Sequence, residues 1–186
     1  MFSMEGGISA WEGHTAAGAP LAGMAHFDPA ASLEQLVALA WGLEEGSRLF
    51  YKGVEERFTD NQTAADLFTK LVVAEVHHKQ HLLDAYAAIT SKDLDFDPHR
   101  QHLGDALAGK VMEGGISVET GLVWASEHTI TEILDFAMAL EVNAYDLYIK
   151  MGRQLKDEKA KQIFKTLADE EQLHLQRLGE LLNMQT

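Results

Sequence analysis

Along four stretches of the chain, apolar residues return every three or four positions, the spacing of one helical face. In the first stretch Val37, Ala40, Leu43, Ser47 and Tyr51 share a face, while Ala38, Glu45, Arg48 and Lys52 fall on another. Ser32-Leu33-Glu34-Gln35 is a capping box that opens a helix running to about Phe58. Thr59-Asp60-Asn61-Gln62 reads as a turn, and Thr63-Ala64-Ala65-Asp66 begins a second helix to about Thr90. Residues 91–128 form a long connection with Asp97-Pro98, Gly114-Gly115 and a short helix near Val118–Ser126. Thr129-Ile130-Thr131-Glu132 is a second capping box, opening a helix to about Leu155, and Asp157 caps a last helix that ends near Asn183. The predicted helices therefore span about 33–58, 63–90, 130–155 and 157–183. Loops this short allow only antiparallel hairpins, and the long link between them makes an all-α four-helix bundle with one crossover over 32–183.

The two hairpins repeat each other. Leu43-Glu44 followed by Glu75-Val76-His77-His78 answers to Leu140-Glu141 followed by Glu171-Gln172-Leu173-His174. Glu44 and Glu141 are 97 residues apart, whereas Glu75–Glu171 and His78–His174 are each separated by 96, a difference of one loop residue. Each half thus offers an inward Glu and a Glu-x-x-His pair, and the spacing of three puts both side chains of the pair on one face. Four carboxylates and two imidazoles, supplied evenly by two hairpins, form the donor set of a two-metal site.

Helical phase separates these acids from their neighbours. Glu44 and Glu141 lie on the apolar stripes, with Ala40 and Tyr51 beside one and Ala137 and Tyr148 beside the other. Glu75 and His78 stack with Leu71 and Leu82, and Glu171 and His174 with Phe164, Leu167 and Leu178. Burying one unpaired carboxylate costs several kcal/mol, and no Lys or Arg falls on these inner stripes, so a metal is the natural partner. Oxygen and imidazole donors without thiolate suit iron or manganese better than magnesium or calcium. A single Glu-x-x-His is usually a solvated acid with a half-buried His; two copies in register are not. Tyr51 and Tyr148 are either core aromatics with wet hydroxyls or hydrogen-bond donors to the ligand carboxylates. His77 and His81 fall off the stripe and read as surface residues, and nothing marks His99, His102 or His128 as ligands. The seven Met read as core filler.

Composition narrows the chemistry. Without Cys there is no disulfide, thiolate nucleophile, rubredoxin-type or iron–sulfur centre. A formal charge of −14 argues against nucleic acid or an anionic membrane as partner. No segment is long and apolar enough to span a bilayer, and the Gly- and Ala-rich start lacks the pattern of a signal peptide, so the expected location is cytoplasmic.

The paired Glu…Tyr and Glu-x-x-His helices resemble the rubrerythrin branch of the ferritin-like superfamily over about residues 32–90 and 129–183. Ala139-Leu140-Glu141…Tyr148 and Phe164…Leu167-Ala168-Asp169-Glu170-Glu171…His174 carry the likeness. It implies a ferritin-like four-helix bundle with a non-haem di-iron centre that reacts with peroxide or dioxygen. The ligands it implies are Glu44, Glu75, His78, Glu141, Glu171 and His174, each at a matching position. Two departures stand out. Classical rubrerythrins carry a Cys-ligated rubredoxin domain, which this chain has no Cys to form, and a further Glu where Ala144 stands here. The resemblance therefore implies metal binding more firmly than fast peroxidase turnover.

In residues 1–31, Met4-Glu5-Gly6-Gly7-Ile8-Ser9-Ala10-Trp11-Glu12 with Gly18-Ala19-Pro20 resembles the last segment of a rhodanese domain, which implies the tail of a rhodanese–rubrerythrin-like fusion. A Gly-rich arm is the alternative. Met112-Glu113-Gly114-Gly115-Ile116-Ser117 echoes the same hexapeptide, and the sequence alone gives that echo no physical account.

The leading expectation is an oxidoreductase that uses two iron ions to reduce peroxide or dioxygen, with electrons from an unknown donor. A ferroxidase or iron-handling protein, a dimanganese (or mixed-metal) catalase-like enzyme, and a non-catalytic metal-dependent sensor or adaptor use the same ligands. Side-by-side pairing into a homodimer is also expected.

Overall fold

The computed structural model describes residues 31–58, 62–90, 109–156 and 158–185, and among these residues there are five α-helices. They are α1 (Leu33–Arg57), α2 (Gln62–Thr90), the short α3 (Val118–Ser126), α4 (Ile130–Gln154) and α5 (Glu158–Gln185). The arm resembling a rhodanese tail, the 59–61 turn, His99, His102 and the capping Asp157 lie outside the described residues.

Local chemistry fixes the helix starts. The Ser32 hydroxyl accepts from the Gln35 N–H (3.3 Å) and the Gln35 side chain accepts from the Ser32 N–H (2.8 Å). Thr129 and Glu132 form the same reciprocal pair at the start of α4. Ser117 caps α3 through the Thr120 N–H at 3.0 Å.

α1 packs along α2, and α4 along α5. Two apolar clusters show how the hairpins are set together. One gathers Leu36 and Leu43 of α1, Leu82 and Tyr86 of α2, Leu147 and Met151 of α4, and Phe164 of α5. The other gathers Phe50 and Val54 of α1, Phe68 and Leu71 of α2, Ile133 and Leu140 of α4, and Leu178 of α5. The start of α1 thus lies level with the end of α2, the end of α4 and the start of α5. α1 runs antiparallel to both α2 and α4, while α2 and α4 run parallel, which is why the link between them must return along the bundle. Burial of each large side chain in these layers contributes on the order of 1.5–3 kcal/mol. Between the two layers lies a polar one.

The described part of the crossover is a tight loop followed by α3. Val111 and Ser117 pair as an isolated bridge around a single 3-10 turn, Glu113–Gly115. Val118 and Ala125 of α3 join the second cluster beside Phe50. Among the described residues, no helix is long and apolar enough to cross a membrane.

Candidate metal centre

Glu44, Glu75, His78, Glu141, Glu171 and His174 all lie buried in the polar layer, though together they come from four different helices. Their donor atoms form three overlapping triples: Glu75, His78 and His174; Glu44, His78 and Glu171; and Glu141, Glu171 and His174. Within each triple the donors lie within 4.8 Å of one another. His78 Nδ1 is 3.1 Å from Glu44 Oε2 and 3.1 Å from Glu171 Oε1, so it faces both hairpins. His174 Nδ1 lies 3.4 Å from Glu141 Oε2 and 3.6 Å from Glu171 Oε2. Both rings present Nδ1 inward and stack on each other with centroids 4.6 Å apart.

The repeat appears in space as an exchange. The Tyr51 hydroxyl of α1 donates to Glu141 Oε1 of α4 at 2.6 Å, and the Tyr148 hydroxyl of α4 donates to Glu44 Oε1 of α1. Both tyrosines are fully buried, so the hydroxyls are dry donors to carboxylates rather than wet core aromatics. Each braces the opposite hairpin, not its own.

Electrostatics divide the acids into two kinds. Burial and the Glu44 charge push Glu75 well above the carboxylate range, and burial with the Glu141 charge pushes Glu171 up to about 8. Burial also opposes ionisation of Glu141, but hydrogen bonds from His174, Glu171 and Tyr51 outweigh it and bring the group down to about 2. Glu44 is lowered likewise: His78, Glu75 and Tyr148 overcome its burial. Burial alone would lower the histidines, yet the carboxylates win. Glu44 and Glu171 raise His78 to about 12, and Glu141 and Glu171 raise His174 to about 9. Without metal, protons therefore occupy the places where cations are needed.

The donor chemistry fits a pair of divalent ions. Glu75 Oε2 and Glu171 Oε2 are buried without a hydrogen-bond partner, an arrangement that costs about 1–3 kcal/mol per group unless something else binds them. Oxygen and imidazole donors, with no sulfur in the set, suit iron and manganese.

Other acids and histidines fall elsewhere. Glu45, the neighbour of Glu44, turns outward to Arg48 (2.7 Å) and Lys79. His77 is exposed. His81 is 52% exposed and pairs with Glu170 at 2.6 Å, whose other oxygen is 3.8 Å from His78 Nε2. That link backs the outer side of His78, and it follows from helix packing rather than from any stripe in the sequence. His128 stacks on Trp124, and its Nδ1 lies 2.7 Å from the Trp124 carbonyl, which gives it a role in the turn before α4. Met112 and Met151 are core residues. Ala144, one turn beyond Glu141, is buried and offers no donor. Sequence periodicity missed one buried acid altogether, Glu113.

No curated protein matches the chain. Among solved structures, a hypothetical protein from Pyrococcus furiosus is similar at 27% identity and a TM-score of 0.47, over 82% of this chain and 92% of that one. Residues 130–185, the whole of α4 and α5 with Glu141, Glu171 and His174, are similar to the rubrerythrin family model.

Proposed function

We propose that this protein is a non-haem di-iron oxidoreductase that reduces peroxide or dioxygen. The metal would be held by Glu44, Glu75, His78, Glu141, Glu171 and His174. The observation that carries the reading is the donor set itself: four buried carboxylates and two inward Nδ1 atoms, with one orphaned oxygen on each Glu of the two Glu-x-x-His pairs. Two bound ferrous ions would supply the two electrons that reduction of peroxide to two waters requires, together with two protons.

The chain's own residues do the rest. Glu75 and Glu171 each lie within reach of both histidines and hold the acidic protons that metal must displace. The Tyr51 and Tyr148 hydroxyls, kept protonated by burial, fix one oxygen of Glu141 and Glu44 and leave the other free to bind. With no Cys, these 186 residues hold no rubredoxin-type centre, so electrons would come from outside them.

The same donors accept manganese, and a sensor or iron-handling protein could use them without fast turnover. Elemental analysis and stopped-flow kinetics separate these cases. Wild type should carry close to two iron per chain, with sharp loss in Glu75→Ala and Glu171→Ala. The anaerobically loaded ferrous form should then be oxidised by hydrogen peroxide far faster than free ferrous iron. Oxidation at the free-ion rate would overturn the oxidoreductase reading. Two manganese in the isolated protein would redirect it to peroxide disproportionation.

A further inference from the structure

Glu113 is 3% exposed although it belongs to no long helix. It sits on the 3-10 turn of the crossover, and the loop around it is pinned on two sides. At Gly46 of α1 a Cβ would stand 2.1 Å from the Val111 carbonyl oxygen, so only glycine lets the loop lie on the helix there. At Gly114, with φ 81°, a Cβ would stand 2.8 Å from Asn143 Nδ2 of α4. Gly46 and Asn143 each lie two residues beyond an inner acid, Glu44 and Glu141. The turn is thereby fastened across the gap between α1 and α4, beside the polar layer. It is braced internally by Met112 N–H to Ile116 O and Gly115 N–H to Met112 O, both 3.0 Å.

Inside this frame, Glu113 Oε1 is buried with no hydrogen-bond partner. The charges that act on the side chain are those of Glu44, Glu171 and Glu141, and it in turn acts on Tyr51, Tyr148 and Glu75. A turn acid at a bundle surface ordinarily points to water. Here the backbone adopts two left-handed glycines, Gly114 and Gly115, and the side chain is buried among like charges. A carboxyl held so costs free energy unless a cation repays it.

We propose that Glu113 is a fifth carboxylate of the metal centre, a ligand delivered by the crossover rather than by the bundle helices. The proposal rests on the two-metal reading above. Glu113 stands outside the three triples of closely spaced donors, so it would bind from the edge of the site. Its charge also has a use. Four carboxylates balance two divalent ions, and oxidation of both ions to the trivalent state adds two positive charges, of which a fifth carboxylate offsets one.

The test compares wild type with Glu113→Gln and Glu113→Asp in anaerobic cobalt(II) titrations, followed by visible absorption. Glu113→Gln should bind one of its two ions at least about tenfold more weakly, the scale of losing even an outer partner of a metal ligand. Its cobalt bands should strengthen as coordination number falls, and Glu113→Asp should recover part of both. In the iron-loaded protein the midpoint potential of Glu113→Gln should rise, because the trivalent state loses more than the divalent one. The metal-free Glu113→Gln protein should unfold at no lower urea concentration than wild type, which separates a ligand from a loop anchor. Two ions bound by Glu113→Gln with wild-type affinity and spectrum would overturn this proposal alone. A wild type that binds no metal in the same titration would overturn the two-metal reading with it.

Discussion

Replacing Tyr148 or Tyr51 with Phe removes one oxygen and keeps the ring in its packing, 6.2 Å from Phe164 and Phe68 respectively. The lost hydroxyl is the donor to Glu44 Oε1 or Glu141 Oε1. These carboxylates are buried and, without metal, ionised, so no water stands ready to replace the phenol. A hydrogen bond to a charged group contributes about 1.5–3 kcal/mol, and each single variant should lose about that much in the metal-free state. At roughly 2–4 °C per kcal/mol for a chain of this size, the melting temperature should fall by about 3–12 °C. Urea denaturation of chelated protein measures the loss. A double-mutant cycle of Tyr51→Phe with Glu141→Gln isolates the pair from general loosening of the core. Coupling of at least about 1 kcal/mol is expected, since the two residues come from opposite hairpins and meet nowhere else. Coupling within about 0.5 kcal/mol of zero would refute the cross-brace and return the tyrosines to simple core aromatics.

Two further perturbations test other parts of the reasoning. In the metal-free protein, Glu171 (about 8, from 4.5) and His174 (about 9, from 6.5) hold protons more tightly folded than unfolded. Their stabilisation is complete at acid pH and is lost as pH rises through the folded values, so chelated protein should weaken between about pH 5 and 9. Lowered Glu141 acts only below its ordinary 4.5, outside that window. Metal displaces the same protons, so the stability difference between loaded and chelated protein should widen with pH; a chelated urea midpoint that is flat or rising from pH 5 to 9 contradicts the assignment. Gly46→Ala sets a methyl 2.1 Å from the Val111 carbonyl oxygen, a backbone atom that cannot rotate away, and should cost about 1–3 kcal/mol while displacing the 109–117 loop. Limited proteolysis should then cut that loop faster than in wild type, and an unchanged rate would mean the loop is not pinned at Gly46.

What could be read from the sequence was whatever a helix makes periodic. The phase that set Glu44 inward and Glu45 outward is the phase observed: Glu44 is buried, and Glu45 meets Arg48 and Lys79 at the surface. The all-helical bundle followed from the same stripes, and the capping boxes at Ser32 and Thr129 are formed. Pairings between helices carried no such signal. Tyr51 could be placed near a carboxylate, but that it reaches Glu141 of the other hairpin depends on how α1 crosses α4. Nothing in the periodicity marked Glu170, which stands between His81 and His78. Glu113 was illegible for a different reason. A turn with two left-handed glycines has no period, so hydrophobic patterning says nothing about which way its acid points. The only trace was the Met112–Ser117 hexapeptide, an acid followed by Gly-Gly, and such a motif acquires meaning only when the backbone it permits is seen against Gly46 and Asn143.

The arrangement of charge explains why so acidic a core can fold before metal arrives. Glu44 and Glu141 keep their charge because each has a histidine and the opposite tyrosine as donors, while Glu75, Glu171 and Glu113 are driven toward the protonated form. Two ionised acids facing two imidazolium rings make a neutral layer, so the metal-free bundle need not bury net charge. The protons that metal would displace sit on atoms it could use, on a carboxyl oxygen or on an inward Nδ1. Binding is then an exchange of protons for cations within a frame that the tyrosines and the pinned crossover already hold. The same geometry that limits the cost of the metal-free state fixes the donors for the loaded one, which is the condition a preorganised site has to meet.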